Sequence, residues 1–191
     1  MSDLSPTTPV LVGVAAVQQR IEQAGEGCES VELMIAALGQ AAEDAGAPQL
    51  LNRAERIEIP KGIWGYSNPG QLVKDAIGAD KADTVLAEIG ILQQTLLNRA
   101  CNAIASGEKS VVLVTGAEAK YRALRGQIEG VEISETAQTD SEPDVTLQPD
   151  AELWSPVESG CGLGMPVGFY AIMDSALRAA QGLSVDEHRD Q

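Results

Sequence analysis

Ile91-Leu-Gln-Gln-Thr-Leu-Leu-Asn-Arg-Ala-Cys-Asn-Ala-Ile-Ala105, closed by Ser106-Gly107 and followed by Ser110-Val-Val-Leu-Val114, is the stretch on which the fold turns. Ile91, Leu92, Thr95, Leu96, Ala100, Ala103 and Ile104 cover most of a helix circumference, the pattern of a helix buried between two layers. The run after it has no polar interruption, as expected of a strand covered on both faces.

Upstream, the same alternation recurs. Thr84-Val-Leu-Ala-Glu-Ile89 reads as a strand ended by Gly90. Asn68-Pro69 opens a helix through Leu72, Val73, Ala76 and Ile77 that stops at Gly78. Arg56-Ile-Glu-Ile59, before Pro60, reads as a short alternating strand. Ser30 is the expected N-cap of a helix with Val31, Met34, Ile35, Leu38, Ala41, Ala42 and Ala45 at helical spacing, stopped by Gly46 and Pro48. Val10-Leu-Val-Gly-Val-Ala-Ala-Val17 is expected to be a further buried strand. Downstream, helices are expected over 117–124 and 167–180, the second ending at Gly182. Strands alternating with helices call for a parallel sheet with right-handed crossovers, so the fold class is α/β.

Composition narrows the function. The 191 residues include 28 acids and 13 bases, a formal charge of −15, with 44% apolar residues and 3% aromatics. The apolar share excludes a wholly disordered chain. The charge has the wrong sign for nucleic-acid phosphates and for anionic membranes. Three scattered Cys (Cys28, Cys101, Cys161) and one His188 suit neither a disulfide framework nor a zinc site.

Residues 1–125 carry a net charge of −4 and residues 126–191 a net of −11. Between 126 and 165 there are nine acids and no base, so a solvated excursion is expected, with little regular structure over 127–151. The expected organisation is therefore an α/β core over 1–125, an acidic loop over 126–165, and a helix returning to the core over 166–191. No basic n-region precedes Val10, and the apolar run there stops at Gln18-Gln19-Arg20, too short to span a bilayer. A cytoplasmic address is expected.

Few residues offer chemistry. Gly13-Val-Ala-Ala-Val-Gln-Gln after the first expected strand lacks the glycines of a dinucleotide turn, and no phosphate loop occurs. Ser159-Gly-Cys-Gly-Leu-Gly164 reads as a flexible connector rather than a phosphate cradle, since no base adjoins it. Cys101 is expected to be a small core residue on the side of Leu97 and Ile104. His188 is expected to be solvated at a helix start, and Trp64, Tyr66 and Trp154 to anchor loops.

Taken in order, the segments resemble the N-terminal half of the thiolase superfamily, in particular its thiolase-like proteins labelled acetyl-CoA acetyltransferases. The resemblance runs through Val10-Leu-Val-Gly-Val14, Ala41-Ala-Glu-Asp-Ala-Gly46 and Trp64-Gly-Tyr-Ser-Asn-Pro-Gly70. It is best at Asn98-Arg-Ala-Cys-Asn-Ala-Ile-Ala-Ser-Gly107 leading into Val111-Val-Leu-Val-Thr-Gly-Ala-Glu-Ala119, and continues in Pro166-Val-Gly-Phe-Tyr-Ala-Ile-Met-Asp-Ser-Ala-Leu-Arg178 with Asp186-Glu-His-Arg189. The family transfers acyl groups through a Cys thiolate at the N-terminus of its core helix, where the helix lowers the thiol pKa. Counting back from Ser106-Gly107 by the family's helix length, that corner is Gly90, which has no side chain to acylate.

The resemblance therefore implies an acyl-CoA-utilising protein, of the acyltransferase superfamily, with no catalytic residue of its own at that corner. The acid-base groups would come from a second half beyond Gln191. It implies acyl-CoA as substrate, no bound cofactor and no metal, with Lys120, Arg122 and Arg125 as the bases that would meet CoA. A second half, or a partner subunit, would cover the Ile91–Ala105 helix, giving an oligomer if the cover is a separate chain. Three readings stay open: half of an enzyme, running acyl transfer or a cysteine-independent C–C cleavage; a non-catalytic subunit stabilising a partner; or an α/β fragment inert by itself.

Overall fold

The computed structural model describes residues 5–190, in two compact units that divide between Pro149 and Asp150. The first unit is built on a four-stranded, all-parallel sheet of β1 (Arg56–Pro60), β2 (Asp83–Ala87), β3 (Val112–Val114) and β4 (Val145–Leu147), in the order β3-β1-β2-β4. Its helices are α1 (Ser30–Asp44), α2 (Pro69–Ile77), α3 (Gln93–Ala105) and α4 (Lys120–Glu129). α2 begins where the sequence places it. The Asn68 side chain accepts the Gln71 N–H, Pro69 needs no donor partner in the first turn, and Gly78 closes the helix in the left-handed conformation. α1 is capped one residue earlier than expected: Glu29, not Ser30, forms a capping box with Glu32.

Alternation along β1 separates two faces. Ile57 and Ile59 pack with Val31, Met34 and Leu38 of α1, Val73 of α2, and Tyr66. Glu58 points to the opposite face, beneath α3, where Arg99 meets it. α3 buries Leu96, Ala100 and Ala103 and leaves Leu92 and Leu97 exposed. Cys101 is exposed as well, which corrects its expected place in the core. It does share a side with Leu97, but that side faces outward, because the apolar pattern around α3 does not say which arc the sheet takes.

One expectation about a segment is overturned. Residues 10–17 form no strand, and Val10, Leu11, Val12 and Val14 are 61%, 80%, 57% and 60% exposed. An apolar run favours a strand only where a neighbouring strand supplies hydrogen bonds, and among the described residues none pairs with this one. The segment lies along α1 instead. The Val14 N–H donates to Asp44 Oδ2, and a Cβ on Gly13 would come within 2.1 Å of the Ala41 carbonyl oxygen. Only glycine permits that approach.

The acidic stretch has little regular structure, as expected, its one strand after α4 being the three-residue β4, but it docks on the rest of the first unit through Glu129, Glu135 and Asp144 rather than standing off in solvent. Asp144 accepts hydrogen bonds from the Thr84 N–H and hydroxyl at 2.7 and 3.0 Å, and Thr84 Oγ1 accepts the Asp144 N–H. Glu135 accepts the Gly65 N–H, Glu129 the Ala24 N–H, and Gln138 exchanges two bonds with the Asn68 backbone. A carboxylate that accepts a backbone N–H makes a strong, charge-assisted bond, so like charge along the stretch does not keep it from packing.

The Thr84 donors hold the Asp144 carboxyl below its usual range. A depressed folded-state pKa gives stability that is present above the unfolded value and lost as pH falls through the folded one. Asp144→Ala is therefore expected to raise amide exchange at 145–147 at neutral pH, and the wild-type chain to show the same rise only on acidification, as read by hydrogen exchange.

The second unit contains α5 (Pro156–Gly160), α6 (Pro166–Gln181) and α7 (Val185–Arg189). Part of the glycine-rich 159–164 run is thus helical rather than connector. α6 ends at Gly182, left-handed, as its sequence announces. Ser155 and Ser184 cap the two short helices with capping boxes to Glu158 and Glu187. His188, expected to be solvated, is partly buried, with Nε2 at 2.9 Å from Asp174 Oδ1 of α6.

Candidate functional site

In an open parallel sheet, chemistry gathers beyond the carboxyl ends of the strands, where the loops are free of the sheet's hydrogen bonding. Here those ends are tied in sequence. The Lys61 N–H donates to the Ala87 carbonyl, the Glu88 N–H to Leu147, and the Thr115 N–H to Glu58.

From β2 the chain enters a turn closed by the Ile91 N–H on the Glu88 carbonyl, and then starts α3. Gly90 sits in that turn with φ at +107°, where an L side chain is strained. Leu92 caps α3 without any side-chain hydrogen bond. The turn therefore presents the positive end of a thirteen-residue helix beside a residue that has no side chain. A thiolate held there would be stabilised. Cys101 lies well along α3, about 12 Å from its first residue at 1.5 Å per residue, and does not substitute for it.

Beside the ends of β1 and β3 lies an aromatic anchor. Trp64 and Tyr66 pack with ring centroids 5.2 Å apart, and the Lys61 ammonium stands 4.8 Å over the Trp64 ring. Trp64 Nε1 donates to the Ala117 carbonyl, and Lys61 Nζ to the Tyr66 carbonyl. Both aromatics are buried.

Tyr66 is fully buried, its hydroxyl donating to Glu29 Oε2 at 3.0 Å and facing the Val31 N–H at 3.5 Å. Thr136 completes the cluster through its N–H and hydroxyl, both donated to Glu29. Burial pushes the Glu29 carboxyl up, but the Thr136 and Tyr66 hydrogen bonds and the Arg122 charge outweigh it and hold the group below its usual range. Burial, together with that neighbouring carboxylate, raises the Tyr66 phenol, so it stays a neutral donor.

The bases singled out by sequence lie along α4. Lys120 is exposed at its start. Arg122 donates Nη1 to the Ser134 carbonyl at 3.0 Å. Arg125 donates to the Glu22 carbonyl at 2.8 Å and pairs with Glu129. Two of the three therefore hold neighbouring segments in place, and among the described residues none hydrogen-bonds to the Gly90 turn. Trp154 is partly exposed, unlike Trp64 and Tyr66.

The pair Glu58–Arg99 escaped the sequence reading. Alternation in Arg56-Ile-Glu-Ile59 marks Glu58 as belonging to the face opposite the isoleucines, which in a two-layer sheet is the wet one. Burial of that face by α3 could have been anticipated only from the apolar arc of α3 itself.

The all-parallel sheet layered between helices, together with the match to a solved structure, gives a thiolase-like fold. The chain is similar to the crystal structure of a monomeric SCP2-thiolase-like protein type 1 from Mycobacterium smegmatis, with a TM-score of 0.61 and 26% identity. The match covers 97% of this chain and 32% of that one, so the chain spans about a third of the length of that protein. No protein-family model and no curated protein matches the sequence.

Among the described residues no group of three or more His, Cys, Asp or Glu is placed to hold a metal ion. No helix among them is long and apolar enough to cross a membrane.

Proposed function

We propose that this chain is the N-terminal half of a thiolase-like, acyl-CoA-utilising protein whose nucleophile position is vacant. The observation that carries the reading is Gly90: a glycine at φ +107° stands where β2 hands over to an uncapped helix N-terminus. By itself the chain would not turn over acyl-CoA, since it has neither a thiol at that corner nor the acid-base groups of a second half. With a second half it would serve acyl transfer, or a C–C cleavage on a CoA thioester that needs no cysteine. The match to about a third of the structural neighbour supports the thiolase-like part of this reading.

The test is to install the missing thiol. Gly90→Cys is expected to take one acetyl group from acetyl-CoA, seen as a single mass increment, while the wild-type chain takes none. Acetylation of wild-type Cys101 to the same extent, or no acetylation of the variant, would overturn the reading. Because the turn holds a left-handed residue, Gly90→Ala is expected to lower unfolding stability by about 1–2 kcal/mol, measured by urea denaturation.

A second reading, a non-catalytic subunit that stabilises a partner, is favoured by the apolar side chains Leu92 and Leu97 on the outward side of α3. A second thiolase-like half or a partner subunit would cover them. On that reading Gly90→Cys gains no acetyl group, yet the wild-type chain still raises the stability of a co-purified second half.

A further inference from the structure

We propose that the cleft between residues 17–21 and the entry to α4 binds a small organic carboxylate with a hydrocarbon body. The cleft has a volume of about 340 Å³, within the range of small-molecule sites. Its apolar lining comes from Val17, Ile21 and Leu33. Arg20, Arg122 and the Tyr121 phenol supply the polar lining, together with one carboxylate, Glu118. Glu118 is already engaged, its Oε1 accepting the Ile63 N–H at 2.6 Å.

Two arginines and one carboxylate already engaged by a backbone N–H line the cleft, in a protein whose overall charge is −15, and Arg122 also stands near the Glu29 carboxylate. General attraction of anions by the chain does not explain such a cleft. Arg122 spends Nη1 on the Ser134 carbonyl, while its buried Nε has no hydrogen-bond partner among the described residues. A buried donor without a partner costs free energy, and an incoming acceptor relieves it. Arg20 and Tyr121 are exposed, and among the described residues their side chains make no hydrogen bond.

The walls are held in advance. The Gln19 side chain bridges the Cys28 N–H and carbonyl, each at 2.7 Å. The Ala119 N–H donates to Ser30 Oγ on the other side. Preformed walls spare a ligand the entropy of ordering them.

The apolar lining decides between anions. Inorganic phosphate would meet the guanidinium groups but leave Val17, Ile21 and Leu33 uncovered. A carboxylate with a short alkyl chain satisfies both. The inference is independent of the Gly90 corner, since none of its residues belongs to that turn.

Hexanoate is a suitable probe, titrated into the isotope-labelled full chain and followed by backbone amide NMR. Saturable shifts are expected at Ala119, Tyr121 and Arg122. Hexanamide, which keeps the alkyl chain but not the charge, and phosphate, which keeps the charge but not the chain, are each expected to bind about tenfold more weakly or worse. Arg20→Gln, at an exposed position, is expected to weaken hexanoate about tenfold with an unchanged circular dichroism spectrum.

Hexanoyl-CoA separates a free acid from its thioester. The thioester has no carboxylate at the end of its chain, and free CoA titrated beside it assigns any shift common to both to the CoA phosphates rather than to the acyl chain. No saturable shift with hexanoate would overturn the proposal. So would equal binding of hexanamide, an unaffected Arg20→Gln, or shifts at these amides with the thioester but not with free CoA.

Discussion

Arg99→Leu is expected to lower the unfolding free energy by about 2–3 kcal/mol at pH 7, and Glu58→Gln in the same chain to recover most of it. The reason is the isolation of Glu58. Its side chain is fully buried on the α3 face of β1, and neither carboxylate oxygen has a hydrogen-bond partner. Arg99 Nε lies at 3.8 Å and Arg56 Nη1 at 3.9 Å, and Arg56 is shared with Glu108. Removing one partner of a buried pair leaves a charge without compensation, which usually costs 3–5 kcal/mol. Arg56 remains, and Arg99 is a third exposed, so the lower figure applies.

Burial raises the Glu58 carboxyl above its ordinary value despite the two arginines. The folded state therefore holds this proton more tightly than the unfolded chain does. Stability contributed by Glu58 is full below the unfolded carboxyl pKa, and falls as pH rises from there to the raised folded value. Glu58→Gln alone is expected to remove that slope and to be neutral or stabilising at pH 7. Urea denaturation of the two single variants and the double variant, at pH 4 to 8, reads both effects. Equal destabilisation by Glu58→Gln and Arg99→Leu would mean that the pair is favourable as a pair.

Tyr66→Ala is expected to cost about 3–5 kcal/mol, enough to unfold much of the first unit in a protein of ordinary stability. Tyr66 ties its own loop to the start of α1: the ring packs on Trp64, and the hydroxyl links Glu29, the N-cap of α1, and Val31 in its first turn. Tyr66→Phe separates the two contributions. It keeps the ring and removes one of the three donors to the Glu29 carboxylate, leaving the two from Thr136, at about 1 kcal/mol.

The Phe variant also carries a pH signature. Glu29 is held below its usual range partly by Tyr66, so the loss is expected above the unfolded carboxyl pKa and vanishes as acid protonates Glu29 in the folded state. Thermal denaturation followed from pH 7 down to pH 2, below the lowered Glu29 value, reads the difference. An equal loss at both ends would assign the whole effect to packing.

The layered sheet was legible because its signals are local. Apolar runs bounded by glycine and proline mark β1, β2 and β3, and Asn68-Pro69 with Gly78 marks both ends of α2. Gly90 was legible as a corner for the same reason: strand and helix periodicities meet there. What failed depends on partners distant in sequence. Val10–Val17 has the composition of a strand but no described neighbour to pair with. Composition also hid how 126–165 docks, because its nine acids look only repulsive, whereas Glu129, Glu135 and Asp144 each accept a backbone N–H from a distant segment. Thr84 and Asp144 are 60 residues apart, and no local pattern links them. The burial of Glu58 and the exposure of Cys101 have one cause, the choice of which arc of α3 meets the sheet.

β4 pairs with β2 across the connection from Ala87 to Val145, while β1 and β2 are joined by the shorter one from Pro60 to Asp83. Closing the longer loop costs about 0.8 kcal/mol more in chain entropy. The return comes from a strand of only three residues and the Thr84–Asp144 bonds. Loop closure therefore favours pairing of β1 with β2 before β4 adds to the sheet edge. On the ribosome, β1, β2 and β3 can form a sheet before Leu147 has emerged, and the outer edge of β2 stays open until it does. The clasp between Thr84 and Asp144 sets how long that edge is open to other chains.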